Sequence, residues 1–516
     1  MKETNRHEKI FRVCDAVTLW GIFILFFALP FEKEERIVYY GAQIIPITFW
    51  FTKIIFQSTR RQWKRTLVQY VIMLAAAGIL VLLFGRKPPA EVFQLFFWEL
   101  GILSFCVLLI INREHPFRPS VSRWRLKKAF DFSLGCYGFI VLLSSFLSYY
   151  PEESFPQLRK GFVAYLLIYL CLSNNIRSFK KFKHVVLAAY LSILAITIVV
   201  LVQGVAYPAG SYAVKNWLWR KEAVRLINPE SLNPLYHVQF PFNHYHKTAL
   251  FLAVGLMLVM LQYFITIKRV SRRWVGASFV LTFAALVFTL SRSALFAAIA
   301  SMLCLVFLTK RKYLISLALL LIILVMVMPA DMKGHYTDIF RPAEYERPDS
   351  RVSLYLKRWT LVGELIRKHP IIGTGYGWKQ FEDVCRLARP QARFERRPHP
   401  YSWYLQKTSE SGLLGLWFFL LFSTFLLALL YQRWRQQPMV SYYRGINAAL
   451  ITLLIVPYLF GLTGFIYLHA TGMLVWIVYG LCASYMKLTV KPRDIDELRR
   501  EVEVRNPESE ENLTNV

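Results

Sequence analysis

Apolar residues recur along this chain in runs of about 17 to 22, each long enough at 1.5 Å per residue to cross a hydrocarbon layer of about 30 Å. The pattern predicts about fourteen membrane-spanning helices, near 13–30, 36–56, 67–84, 92–112, 129–149, 159–174, 184–205, 246–267, 274–290, 292–309, 313–330, 411–432, 445–461 and 464–486. The expected fold class is an all-α polytopic membrane protein with 12–14 spans and a large, partly helical outer loop.

Polar positions divide into short connections and two long ones, roughly 206–245 and 331–410. Loops of that length in a compact protein are functional or disordered, and the second is rich in Trp, Tyr, Gly and paired charges, so it is expected to fold. The organisation read from this pattern is an N-terminal bundle, 1–240, a second transmembrane domain, 241–486, and a charged tail, 487–516.

Composition agrees with the pattern: of 516 residues, 56% are hydrophobic and 16% aromatic, outside the range of a soluble domain. The net charge of +30 would point to nucleic acid in a soluble protein. Here the cations fall on every second connection, for example Arg60, Arg61, Lys64 and Arg65, then Lys268, Arg269, Arg272 and Arg273, then Lys310, Arg311 and Lys312. By the positive-inside rule this phase predicts an even span count and both termini in the cytoplasm, with membrane lipids rather than nucleic acid as the partner of the charge. The N-terminal segment leads into a full span without a small-residue cleavage site and is expected to be retained. Only Cys385 of seven cysteines falls in an outer loop, so no structural disulfide is expected. No metal-ligand spacing occurs, and neither metal nor cofactor is expected.

Candidate chemistry gathers at the predicted outer boundary. Arg292 follows Ser291 inside the apolar stretch 274–308, which is too long for one helix and is better split by a tight outer turn, with Ser291 capping the second helix. An arginine beside a helix N-terminus favours phosphate; the alternative is an interfacial arginine reaching lipid headgroups. His399 precedes Pro400, which suits the first position of a helix and would place the imidazole, kept neutral, at the positive end of the dipole. Such a ring can accept a proton from a hydroxyl, although a lone loop histidine is also an ordinary polar residue. Gln406 and Glu410 follow on that helix. Gly373, Gly375 and Gly377 alternate in His-Pro-Ile-Ile-Gly-Thr-Gly-Tyr-Gly, suiting close backbone approach to a ligand or to another segment. Asn243, His244 and Lys247, with Arg220 upstream, are candidates for phosphate or sugar binding or for a polar interfacial collar.

Taken in order over 240–415, these segments resemble the O-antigen ligase-like family of ligases, polymerases and protein O-oligosaccharyltransferases. The matching pieces are Phe242-Asn243-His244-Tyr245-His246, the Ser291-Arg292 turn, the Arg- and Trp-bearing segment 349–359, the glycine segment 369–377, and His399 ahead of Glu410-Ser411-Gly412-Leu413-Leu414-Gly415. Pro400 departs from the asparagine usual after the family's histidine. The resemblance implies a bacterial inner-membrane enzyme that moves a glycan, at the periplasmic face, from undecaprenyl diphosphate to an acceptor hydroxyl. It further implies metal-independent, inverting-type transfer, with lipid A-core as acceptor in a ligase and another glycan in a polymerase. In that chemistry Arg292 and Arg351 would stabilise the leaving diphosphate, His399 would orient or deprotonate the acceptor, and Lys247 and Arg220 would assist. A glycolipid flippase or transporter is the rival class; it would place ionisable residues deep in several spans.

Overall fold

The computed structural model describes residues 2–29, 42–50, 53, 121–206, 242, 244–266, 269–309, 351–377, 381–383, 400–437, 442–464 and 470–488. Among the described residues every regular element is a helix. In chain order these are α1 (Lys2–Ala28), α2 (Val121–Phe146), α3 (Pro151–Leu158), a π-helical turn (Arg159–Val163), α4 (Ala164–Asn175), α5 (Phe179–Ala206), α6 (Tyr245–Ile265), α7 (Arg269–Phe288), α8 (Arg292–Thr309), α9 (Arg351–Lys368), α10 (Trp403–Arg435), α11 (Tyr442–Thr463) and α12 (Ala470–Lys487).

Seven of these helices are long and apolar enough to cross a membrane: Leu126–Phe146, Phe179–Gly204, Tyr245–Ile265, Val270–Phe288, Arg292–Thr309, Trp403–Arg435 and Tyr442–Thr463. They coincide with spans expected near 129–149, 184–205, 246–267, 274–290, 292–309, 411–432 and 445–461. The spans expected at 67–84, 92–112 and 313–330, most of that at 36–56, and the tail from 489 lie outside the described residues. Most of the loop 206–245 lies there too, as do residues 331–350, 378–380 and 384–399 of the second long loop.

One expected span takes another form. The run 159–174 is helical, but it continues α3 through a π-helical turn into the 12 residues of α4 and is not among the seven candidate spans. Arg159 and Lys160 interrupt its apolar side, and both are exposed.

α6 is the axis of the packing. Its residues are apolar all round, so it has no face that suits water and is buried on every side, against α5, α7, α8 and α11. Gly255 permits this closeness: a Cβ there would lie 2.8 Å from the side chain of Ile193 on α5. A second group, α2 against α10 and α4 against α12, joins the first through α10 and α11.

The two ends of the bundle differ in kind. At one end, cations close helix C-termini, where free carbonyls accept from them. Arg433 donates to the carbonyls of Tyr485 (2.5 Å) and Leu488 (2.9 Å), and Lys487 donates to Ser173 O (2.8 Å) and Asn174 Oδ1 (3.2 Å). At the other, here the upper end, the starts of α6, α8 and α10 gather instead.

Candidate active site at the upper end

α6 begins with His244 as N-cap; its Nδ1 accepts from the backbone N of His246 (3.2 Å), satisfying one of the donors a helix start leaves free. Nδ1 accepts only in a neutral ring. Burial, reinforced by the charge of Lys247, pulls the His244 pKa down to about 3, which keeps it so. The rings of Tyr245 and His246 follow, with centroids 4.0 Å apart, and Lys247 is half-buried beside them.

The α7–α8 connection is as tight as the apolar run demanded. Leu290 takes a left-handed φ of 55°, Ser291 lies immediately before α8, and its carbonyl accepts from Leu295 N at 3.0 Å. The Ser291 hydroxyl is used otherwise: it is hydrogen-bonded to His246 Nδ1 at 3.3 Å, tying this turn to the start of α6. Arg292 is thereby the first residue of α8, half-buried at its positive end.

The third start corrects an expectation. Pro400 does not open a helix; α10 begins at Trp403, with Ser402 in the cap position. Tyr401 is the reason. Its φ of 51° is left-handed, and its ring sits between Tyr355 (centroids 4.4 Å apart) and the guanidinium of Arg358 (4.6 Å), both on α9. The helix-start position expected for His399 therefore does not hold, since the dipole's effect fades within the first turn. His399 itself lies outside the described residues, as do Asn243 and Arg220.

All three starts meet the C-terminal end of α11. Ser293 Oγ is 2.9 Å from Thr463 Oγ1, Ser402 Oγ donates to Gly461 O at 3.4 Å, and the His246 ring stands edge-on to Phe460 at 6.2 Å. None of the three helices has an acidic residue in its first turn. Converging positive helix ends without carboxylates, beside Arg292 and Lys247, form an anion-binding environment. Arg351 opens α9, which packs on α10, and Arg358 is buried two turns further on.

The glycine segment has the second of its two expected uses. Gly373, Gly375 and Gly377 adopt φ of 79°, 114° and 123° and lay the segment along α10. Thr374 N and Gly375 N donate to the carbonyls of Ser409 (2.9 Å) and Glu410 (3.1 Å), while Leu413 N and Leu414 N donate to Pro370 O (2.8 Å) and Ile371 O (3.3 Å). These bonds are available because α10 is broken at Gly412, whose φ of 71° and ψ of −179° are a glycine conformation. The break also explains the 33-residue length: the part before it, 403–411, is polar, and the apolar span follows.

That polar piece is buried all the same. Lys407 Nζ is 2.6 Å from Glu410 Oε2, and its charge lies 4.6 Å from the Tyr376 ring centroid. Gln406 donates to Glu410 Oε1 (2.9 Å), and Ser144 on α2 donates to Glu410 O (2.5 Å). Gln406 is thus tied within its own helix rather than presented as a free side chain. Among the described residues no group of His, Cys, Asp and Glu could hold a metal ion.

Residues 277–420 match the O-antigen ligase family. The match begins within α7 and ends within α10, taking in the Arg292 turn, α9, the glycine segment and the broken helix. It supports an O-antigen ligase-like family for this chain, and with it glycosyl transfer in O-antigen or polysaccharide assembly by a multi-pass bacterial membrane protein. No curated protein matches the chain. Sequence reasoning had singled out Arg292, His244 and Lys247; it passed over His246, the side chain that joins two of the helix starts. The signal was there: a histidine in the first turn of an otherwise apolar helix has to find a partner.

Proposed function

We propose that the upper end of the bundle faces the periplasm and transfers a glycan from undecaprenyl diphosphate to an acceptor hydroxyl, with O-antigen ligation to lipid A-core as the preferred reaction. The observation that carries this is the convergence of the α6, α8 and α10 starts, free of first-turn carboxylates, around Arg292 and Lys247. In the transfer, the acceptor oxygen attacks the anomeric carbon from the face opposite the lipid, the bond to the diphosphate oxygen breaks, and the acceptor proton passes to a base. Negative charge then develops on the departing lipid diphosphate, where helix starts and guanidinium groups stabilise it most, in the transition state.

Arg292 and Arg351 take that role, with Lys247 and Arg220 assisting. His399 receives or orients the acceptor proton, and Asn243 and His244, the latter the N-cap of α6, contribute to phosphate or sugar binding. No step calls for a divalent ion, because the cations already present match the leaving group. The glycines 373, 375 and 377 contribute by fixing α10 rather than by touching substrate.

Reconstitution with an undecaprenyl-diphosphate oligosaccharide and lipid A-core, in EDTA, tests this against a His399→Ala variant. Glycan-capped lipid A-core from the wild type alone supports ligation through the histidine. Lengthening of the lipid-linked glycan, with the acceptor unmodified, would make the enzyme a polymerase, and transfer undiminished in the variant would remove His399 from the mechanism.

A further inference from the structure

Gln203 is fully buried near the C-terminal end of α5, and among the described residues neither its Oε1 nor its Nε2 has a hydrogen-bond partner. Other buried amides among the described residues, such as Gln43, Gln262 and Gln406, leave a single atom unpaired. A carboxamide with both ends unmet is a cost that folding alone gives no reason to keep.

Its position is fixed by its neighbours. Ile193, Ile196, Val200 and Gln203 form one buried stripe of α5, and Ile193 packs on Gly255 of α6. The two helices pack as neighbours joined through one connection, and ten residues of helix advance about 15 Å, which brings Gln203 level with the first turn of α6. The next residue, Gly204, packs on Phe288 at the end of α7, three residues before Ser291. Gln203 therefore sits at the level of the His246–Ser291 hydrogen bond, beneath the starts of α6 and α8.

A diphosphate presents only acceptors and would satisfy only the Nε2 end. A sugar hydroxyl both donates and accepts, and meets both. We propose that Gln203 binds a hydroxyl of the first sugar of the lipid-linked donor, next to the diphosphate held by the starts of α6 and α8. The proposal rests on the transfer reaction assigned to this end and names the part of the donor recognised there.

The test uses the full chain in nanodiscs, with undecaprenyl diphosphate and the same lipid carrying one galactose or one N-acetylglucosamine. The wild type should bind a sugar-bearing form about tenfold more tightly than the bare diphosphate. Gln203→Leu should bind all of them with the wild-type affinity for the bare lipid, and its unliganded Tm should equal or exceed that of the wild type. Retention of the sugar preference in Gln203→Leu would overturn the proposal, as would a wild type that binds all forms alike. A lowered Tm with all affinities falling together would also overturn it, since that marks a structural residue. A wild type that binds none of these lipids would instead contradict the transfer reaction itself.

Discussion

At the scale of single residues, the upper end depends on side chains that do two things at once. His246 belongs to the first turn of α6 and holds Ser291 ahead of Arg292. His244 caps the same helix only while its ring is neutral. Because its folded pKa, about 3, lies below the usual value of about 6.5, the unfolded chain binds the extra proton first. The stability this group contributes is present above about pH 6.5 and is lost as pH falls from there towards 3. His244→Asn keeps a good cap without the titration. Thermal unfolding followed across pH 4 to 7.5 should show a shallower loss of Tm in that variant; an unchanged slope would remove the histidine from the effect. Arg358 offers a second case, since its guanidinium holds the strained Tyr401 in place. Arg358→Met should cost about 0.5–2 kcal/mol of stability in denaturant unfolding, with Arg358→Lys losing less.

Helices set the next scale, and the broken α10 carries most of the argument. A Cβ at Gly412 would lie 2.0 Å from Ile371 O, and one at Gly373 would lie 2.5 Å from Gly412 N. Gly412→Ala should destabilise the fold by at least about 1–3 kcal/mol from backbone strain alone, read as a lowered Tm. The buried Lys407–Glu410 pair just before the break predicts a different signature. Lys407→Met or Glu410→Gln alone strands a partner and should cost about 3–5 kcal/mol, whereas the double variant should cost less than either. Additive losses in that cycle would show that the pair is not coupled.

These elements also show what sequence could and could not convey. The apolar runs from 246 to 309 place α6, α7 and α8 within a few residues, because a membrane span must be apolar along its whole length. The turn at Ser291 was legible for the same reason: no helix fits the whole stretch 274–308. The start of α10 was not. Pro400 is a sound helix opener in isolation, and only the tertiary contact of Tyr401 with Tyr355 and Arg358 moves the start to Trp403. Likewise the glycines of 373–377 announced a close approach without saying to what, since the partner is a helix break some thirty-five positions later, as in the Thr374 to Ser409 hydrogen bond. Gln203 carried no signal at all, being one polar residue in an apolar run.

For the whole molecule, the two ends of the bundle divide the work. One end is closed by cations on helix C-termini, as Arg433 and Lys487 show, and the other gathers helix starts around the proposed anion site. In the proposed orientation, positive-inside sorting turns the first towards the cytoplasm and leaves the second outside. A single cysteine introduced at the exposed Ile371 of a cysteine-free background should react with a membrane-impermeant maleimide in intact spheroplasts. Labelling only after the membrane is opened would invert the assigned topology. The most direct measurement of the central claim is single-turnover glycan transfer from undecaprenyl diphosphate by wild type, Arg292→Lys and Arg292→Ala in proteoliposomes. Loss of a leaving-group contact predicts a rate lowered about 10²–10³-fold in Arg292→Ala, partial recovery in Arg292→Lys, and unchanged Tm in both. Wild-type transfer rates in a folded Arg292→Ala protein would contradict the account.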